Sequence, residues 1–372
     1  MFLSMKIAAI FSSIPDHRVV GRCTYPLSDL LTIALLSYMC GGEDYVDMSE
    51  FAQFRATELC LLEGCNTTPS PDTFERLMSA VSPDEIERCL IESGKALLDT
   101  LAEKQIVIDG KKLRGTNPRS RGTKGDYLMN AFVSENRLIV GQSIVKDKEN
   151  EIKAIPEILD KLDIEDAIVS IDAIGTQVEI AQQITEKRGH YFLALKENQK
   201  SLYEAVEAAF KYNKPIDVNN EMEADHGRIE ERICSILPAS CIEEEAVRNR
   251  WSKLSTIVRI GSNVDDKTTG KHSYTTRYYI SDEAFSKAAY FNMLARGHWS
   301  IENLLHWLLD VAFHEDACRA RKGYAPQNLS LIRKMALQCV KEQNDKCSIK
   351  KRLFRAALSN DYLISLVKNF KF

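Results

Sequence analysis

Two features of many small functional domains are missing from this sequence: paired cysteines and long apolar runs. The ten cysteines are scattered, with no C-x-x-C pair and no Cys/His spacing typical of zinc, so we expect free thiols rather than a metal or disulfide scaffold. No stretch reaches the roughly 20 apolar residues that span a bilayer. The apolar run at residues 7–11 is too short for a signal peptide, and a cytoplasmic protein is expected.

A strong net charge is also missing, because the 372 residues carry a formal charge of −4. The charge is nevertheless uneven along the chain. Residues 41–104 contain 14 acidic and 5 basic residues, whereas residues 106–146 contain 8 basic and 3 acidic, and residues 315–372 contain 13 basic and 5 acidic. Basic segments on a nearly neutral chain are typical of a surface that faces a polyanion, although solvated helix faces give the same pattern.

The first 104 residues predict a helical domain, because apolar periodicity and capping residues alternate there. The predicted helices are Leu27 to Met39, with Ser28 as cap and Gly41-Gly42 as stop, Ser49 to Glu63, and two that open at Ser70 and Ser82. Short helices separated by capped turns suit a helix-turn-helix-like module, although the acidic balance argues against the whole module lying on DNA.

From residue 105 the pattern changes to an α/β domain that runs to residue 372. The predicted elements are strands 105–109, 127–134 and 137–145, helix 152–162, the strand ending at Asp172, helix 177–188, strand 191–196 and helix 202–210. This order predicts an antiparallel meander within a mixed sheet flanked by helices. Residues 211–290 are interpreted as a β-rich insertion with strands 228–236, 254–260 and 274–280.

Three acids stand in apolar surroundings, where an unpaired carboxylate is costly. Asp109 and Asp172 each follow a short apolar strand, and adjacent strands would bring both carboxylates to one rim. Glu302 lies in an apolar helical stretch. Each has a structural alternative: an Asx turn for Asp109, a helix cap for Asp172, and an ion pair with His298 or His306 for Glu302.

Nine short stretches, in order along almost the whole chain, resemble one family. They are 14–18 (IPDHR), 27–29 (LSD), 108–114 (IDGKKLR), 154–157 (AIPE), 172–175 (DAIG), 195–199 (LKENQ), 226–228 (HGR), 277–281 (RYYIS) and 298–303 (HWSIEN). Together they resemble the DDE transposases of bacterial insertion sequences, specifically those similar to the H-repeat-associated proteins of Rhs elements.

The resemblance implies an RNase-H-like catalytic core carrying Asp109, Asp172 and Glu302 as the acidic triad. It implies a helical domain that helps recognise terminal inverted repeats, and a nucleoid-associated dimer on double-stranded element and target DNA. One departure concerns Ala295, His298 and Leu309, where related transposases carry Tyr, Arg and Lys. Their aromatic and basic roles would pass to neighbouring residues, namely Arg296, His298 and Trp299.

Phosphodiester cleavage by such a triad needs hard oxygen ligands for two divalent cations, Mg²⁺ or Mn²⁺. Asp109 would bridge the ions, and Asp172 and Glu302 would each hold one. Further side chains are candidates for DNA contact through charge, hydrogen bonding or stacking: Lys111, Lys112, Arg114, Lys196, Asn198, His226, Arg228, Trp251, His298, Arg319, Arg321 and Lys322. The alternatives are solvated strand ends for the cations, a simple turn at residues 226–228, and the core for all three tryptophans.

The sequence therefore predicts a transposase that cuts at the ends of its element and joins the freed 3′ hydroxyl to target DNA. Two other interpretations share the same residues. One is a degenerate remnant that binds DNA without cutting it, and the other is a metal-dependent nuclease without strand transfer.

Overall fold

The computed structural model describes residues 11–98, 100–116, 125–145, 151–225, 228–267, 269–284, 287–341, 343 and 345–368. The helices are α1 Leu27–Met39, α2 Tyr45–Arg55, α3 Pro71–Ala80, α4 Pro83–Leu97, α5 Glu151–Lys161, α6 Val178–Glu186, α7 Lys200–Tyr212, α8 Glu245–Arg248, α9 Ala288–His298, α10 Trp307–Phe313, α11 Ala325–Lys341, α12 Ile349–Leu358 and α13 Asn360–Lys368. The strands are β1 Gln105–Lys112, β2 Tyr127–Val133, β3 Leu138–Val145, β4 Ile168–Ile171, β5 His190–Leu195, β6 Asp217–Asp225, β7 Arg228–Pro238, β8 Thr256–Asp266 and β9 Lys271–Ser281.

One mixed sheet of nine strands runs through the described part of the chain in the order β3-β2-β1-β4-β5-β9-β8-β7-β6. Strands β1, β2 and β3 pair antiparallel, which confirms the predicted meander, and β1, β4 and β5 are parallel. Parallel neighbours need crossover connections, and α5 and α6 supply them. A meander followed by two parallel strands with helical crossovers is the RNase-H-like arrangement.

Strands β6 to β9 extend this sheet, since β9 pairs antiparallel with β5. The prediction of a β-rich segment there is confirmed, but β6 was missed. Its sequence, DVNNEMEAD, is mostly polar, and it forms the outer edge of the sheet. An edge strand keeps one side in water and needs few β-branched residues, so apolar alternation could not reveal it.

The helices of the first hundred residues share one hydrophobic core with α11, α12 and α13. Helix α11 is buried along nearly its whole length, and the Asn328 amide donates to the carbonyls of Met78 and Val81. The Arg55 guanidinium of α2 also donates to the Ala356 carbonyl of α12 at 3.0 Å. The division of the chain at residue 104 stays a prediction, but the two sides pack against each other extensively.

Helix α1 has the predicted bounds, whereas its predicted cap is wrong. Pro26 occupies the N-cap position, where no side chain bonds to the first turn, because Ser28 lies inside the helix. Helix α2 begins earlier than predicted because the Asp44 carboxylate accepts from the amides of Val46 and Asp47. Such a capping box fixes a helix start.

All ten cysteines are free, as predicted. Across the residues that the structure describes, no helix combines the length and the apolar character needed to cross a membrane. Part of the basic charge of residues 315–372 is internal, since Arg333, Lys334 and Arg352 are buried. The charge pattern of the sequence therefore overstated the basic surface of this segment.

Candidate active site

The register of two parallel strands brings Asp109 and Asp172 to the same level of the sheet. Ile108 of β1 is paired with Ile171 of β4. Asp109 and Asp172 directly follow these two residues in the sequence. The Asp172 carboxylate accepts from the Ile174 amide at 3.1 Å, so the predicted helix cap is present. This bond uses Oδ1 alone, and capping is therefore compatible with a role at the rim.

Glu302 stands on a π-helical turn, Glu302–His306, that continues into α10. The Trp307 amide donates to the Glu302 carbonyl, five residues back, and such turns are frequent at functional sites. The Glu302 side chain is 61% exposed, so the prediction of a buried carboxylate is wrong for this residue. Its predicted pairing with His306 is confirmed, because His306 Nδ1 lies 3.1 Å from Glu302 Oε2.

His306 also links Glu302 to Asp109. The same Nδ1 lies 3.7 Å from Asp109 Oδ2, and the buried imidazole sits between the two carboxylates. Asp109, Glu302 and His306 each offer one donor atom, all within 4.8 Å of one another. Sequence reasoning treated His306 only as a partner for Glu302. The four-residue spacing was the available signal, but its approach to Asp109 depends on the fold.

The carboxylates differ in their electrostatics. Burial raises the pKa of Asp109 to about 6, and the like charges of Asp172 and Glu302 act in the same direction, opposed by His306 and the Gly110 amide. The hydrogen bond from His306 lowers the pKa of Glu302. A partly desolvated carboxylate beside other acids is the environment in which a divalent cation binds favourably, so the residues present fit such an ion.

The segment after β1 is docked against the segment after α10. The Lys111 ammonium is buried and donates to Asp310 at 2.5 Å and to Glu315 at 2.7 Å. Lys111 was predicted to contact DNA phosphates, but its ammonium is paired with these two acids inside the protein. Neither acid was identified from sequence. Burial raises the pKa of a carboxyl, but Lys111, with Lys334 and Arg333, holds the pKa of Glu315 down at about 2.

Two family profiles match this chain, one on each side of residue 100. The profile described as "Transposase DDE domain" matches residues 101–339, and "DDE_Tnp_1-associated" matches residues 8–92. The chain belongs to the DDE transposase family. Membership implies dependence on a divalent cation, in agreement with the donor set around Asp109.

Similar proteins share most of the length of this DDE family member. "Putative transposase YncI" of Escherichia coli O157:H7 is 32% identical, covering 95% of this chain and 92% of its own. "Putative protein YbfL" (33%) and "H repeat-associated putative transposase YhhI" (32%), both of Escherichia coli strain K12, cover 97% of each chain. A solved piggyBac transposase synaptic complex with hairpin DNA aligns with 98% of this chain and 78% of that one, at 13% identity and a TM-score of 0.44. Nothing about the site follows from so distant a likeness.

Two predicted DNA contacts of this DDE protein are internal. Trp251 is 4% exposed and packs in the core beneath the central sheet, so its polar sequence neighbours gave the wrong indication. His298 is buried, and its Nδ1 lies 3.2 Å from Ser170 Oγ. Burial and the charge of Arg277 lower the pKa of His298 to about 4. His226 lies outside the described residues.

The other predicted cations lie at the surface. The Arg114 and Arg228 side chains are 79% and 69% exposed, each beside one aspartate, and Lys196 is exposed in a 620 Å³ cleft that also contains Asp172. The Asn198 amide donates to the Ala173 carbonyl at 2.6 Å and so supports the turn after Asp172. Three further cations line a 660 Å³ cleft facing acids of the N-terminal helices: Arg319, Arg321 and Lys322.

Trp299 and Trp307, for which a place in the core was considered, are 46% and 56% exposed. Trp251, the tryptophan expected to stack on DNA, is the one that is buried. The Arg277 guanidinium lies over the Trp299 ring, 4.8 Å from its centroid. Arg277 lines both the cleft beside Asp172 and a 600 Å³ cleft beside Trp299. Sequence reasoning missed Arg277 as a candidate, although the stretch RYYIS contributed to the resemblance.

Proposed function

We propose that this protein is a DNA transposase that cleaves at the ends of an insertion sequence and transfers the 3′ hydroxyl to target DNA. The observation that supports this most is the cluster of Asp109, Glu302 and His306, whose donor atoms lie within 4.8 Å of one another, with Asp172 at the same level of the neighbouring parallel strand. These acids come from two parallel strands and a distant helix, and His306 bridges two of them.

Asp109, Asp172 and Glu302 would hold two divalent cations, Mg²⁺ or Mn²⁺. When bound, such cations polarise the attacking oxygen and offset the charge that builds on the scissile phosphate. The protein's own contribution is placement. The Asp172 carboxylate is fixed by the Ile174 amide, and that of Glu302 by His306. Asp109 is placed by strand β1, whose register with β4 sets its level.

Double-stranded DNA, both element end and target, is the proposed partner, bound by a dimer. The exposed cations Arg114, Lys196 and Arg228 would contact phosphates, and Asn198 would hold the turn beside Asp172. The cleft lined by Arg319, Arg321 and Lys322 offers a further basic edge, and Arg277 joins the set because it borders the Asp172 cleft.

The test is cleavage and joining of DNA that carries the ends of the element. We expect nicking with Mg²⁺ or Mn²⁺, none in EDTA, and joined product when target DNA is added. Asp172→Asn should abolish nicking while leaving DNA binding intact, and Asp163→Asn, at an exposed acid, is the matched control. Nicking unaffected by Asp172→Asn would refute the assignment. Nicking without joining would favour a nuclease, and binding without nicking a degenerate remnant.

A further inference from the structure

A line of buried hydrogen bonds runs from helix α11 to the carboxylate of Glu302. It begins at Lys334, passes through Asn130 on β2 and ends at His306 on the π turn. These three side chains are 1%, 1% and 3% exposed. Asn130 is the register partner of Asp109 across β1 and β2, so both side chains lie on the same face of the sheet.

The first step fixes the orientation of the Asn130 amide. The Lys334 ammonium donates to Asn130 Oδ1 at 2.5 Å and also to Gln142 Oε1. An ammonium has donors and no acceptor, so the atom of Asn130 that faces it is the carbonyl oxygen. The amide nitrogen of Asn130 therefore points the other way, towards the Leu128 carbonyl and His306 Nε2, at 3.4 Å from each.

The second step fixes the imidazole. Because an amide N–H points at Nε2, that nitrogen is the acceptor and the ring hydrogen lies on Nδ1. Nδ1 is the atom that faces Glu302 Oε2 at 3.1 Å and Asp109 Oδ2 at 3.7 Å. It therefore donates to the carboxylates, whereas a nitrogen that binds a metal must present a lone pair.

We propose that Lys334 and Asn130 set the tautomer of His306, so that its Nδ1–H holds Glu302 beside Asp109. His306 is then a positioning residue for the glutamate and not a third metal ligand. The catalytic meaning of this arrangement rests on the proposed function, but the tautomer itself does not.

Glu302 needs such a donor because its side chain projects into solvent and the Asp109 carboxylate lies nearby. The Asp172 carboxylate receives a backbone amide hydrogen bond from the turn that follows it, and Asp109 is held within strand β1. For Glu302, the hydrogen bond within the described residues comes from His306. Outer residues that orient ligands in this way commonly change metal affinity by about 10–100-fold when lost.

Asn130→Asp tests the first half of the proposal with a nearly isosteric change. Lys334 keeps an oxygen acceptor, but a second oxygen now faces His306 Nε2 and draws the ring hydrogen to that nitrogen. Gln142→Glu is the matched control, because it adds the same charge beside the same ammonium on a side chain that does not touch His306. Nitrogen-15 NMR of histidine-labelled protein distinguishes the tautomers, and the His306 signals are assigned by their loss in His306→Gln. The spectra are recorded at pH 7, because burial lowers the pKa of Lys334 to about 8 and the ammonium must be retained.

We expect hydrogen on Nδ1 in the wild type and in Gln142→Glu, and hydrogen on Nε2 in Asn130→Asp. A wild-type spectrum with hydrogen on Nε2, or an Asn130→Asp spectrum identical to the wild type, would overturn the proposal.

Mn²⁺ affinity, measured by electron paramagnetic resonance, tests the second half. An amide can replace the lost N–H, so His306→Gln should bind Mn²⁺ within a few-fold of the wild type, whereas His306→Leu should bind about 10-fold more weakly or worse. Equal loss in both variants would identify His306 as a ligand and refute its positioning role. If the wild type bound no Mn²⁺ at all, the proposed function would fail, while the NMR comparison would still decide the tautomer.

Discussion

At the residue scale, folding shifts the pKa values of Asp109 and Glu302 in opposite directions. The folded pKa of Asp109 is raised from 3.8 to about 6 by burial, so its charged form disfavours folding, and the free energy of unfolding falls as pH rises between those values. Asp109→Asn should therefore stabilise the metal-free protein above pH 6, by up to about 3 kcal/mol, with little effect at pH 3.5. Urea unfolding in EDTA at both pH values measures this difference.

Glu302→Gln is the contrasting variant. In the wild type, the His306 hydrogen bond lowers the pKa of the Glu302 carboxyl, so the charged form favours folding. That contribution to stability is present above pH 4.5 and lost at lower pH. The substitution should slightly destabilise the protein at pH 7. Stabilisation by Glu302→Gln, or an Asp109→Asn effect independent of pH, would contradict these assignments.

Trp299 is an exposed tryptophan in a 600 Å³ cleft that it shares with Arg277, whose guanidinium lies over its ring, and we expect it to stack on a DNA base. Base stacking on an aromatic ring contributes about 1–3 kcal/mol. Trp299→Ala should therefore weaken binding of DNA with unpaired end bases by about 5–150-fold, with a smaller loss for fully paired DNA. Fluorescence anisotropy with the two DNAs measures both affinities. Trp307→Ala removes another exposed tryptophan outside that cleft, and an equal loss there would exclude a specific stacking role.

These residues also show what the sequence could predict about the site. Asp109 and Asp172 were recoverable because an apolar strand followed by one acid is a local pattern, visible without the fold. The states of Lys111, Trp251 and Trp299 were not, because each depends on an element far away in sequence. Lys111 faces acids about 200 residues later, and neighbouring polar residues gave no sign that Trp251 is buried.

At the element scale, the turn after β1 and the turn after α10 approach so closely that only glycine fits at residue 115. A Cβ there would lie 2.1 Å from the Cys318 carbonyl oxygen and 2.9 Å from that of Asp316. Both atoms belong to the backbone and cannot rotate away. The contact joins the segment after β1, the strand that carries Asp109, to the segment after α10, the helix that follows Glu302, so we expect it to help set the separation of the two acids.

Gly115→Ala should therefore destabilise the protein by about 1–3 kcal/mol, as overpacking usually does, and should also weaken Mn²⁺ binding. Gly21→Ala is the control, because nothing lies within 4 Å of its added Cβ. Urea unfolding and Mn²⁺ titration of both variants provide the measurements. Loss of stability with unchanged Mn²⁺ affinity would separate the glycine contact from the geometry of the acids.

The boundaries of the helices and strands also show which local patterns in the sequence reveal an element. Helix α1 has the predicted ends because it is apolar on nearly all sides and stops at Gly41, whose φ is +88°. The start of α2 was missed because its cap is the Asp44 carboxylate, whereas the predicted helix began at Ser49. Strand β6 was missed because an edge strand carries little apolar signal.

At the scale of the whole molecule, the acidic amino-terminal helices and the basic carboxy-terminal helices are partners of each other. Leu31 in α1 and Leu337 in α11 belong to one core cluster, and Lys322 lies 3.8 Å from Glu75. Some of the charges behind the asymmetry along the sequence are thus paired within the molecule, and the others lie at its surface. Composition alone cannot separate the two contributions.

This shared core predicts how the molecule opens locally. Leu31→Ala removes a fully buried side chain, at a cost of about 2–5 kcal/mol. If helices α1–α4 and α11–α13 form one cooperative unit, native-state hydrogen exchange followed by mass spectrometry should speed up in both groups by similar factors. Ile236→Ala, in the separate cluster around β7 and α9, makes a comparable cavity and should leave both groups protected. Faster exchange confined to residues before 104 in Leu31→Ala would instead establish an independent amino-terminal domain, because opening there would not require α11 to separate from the sheet.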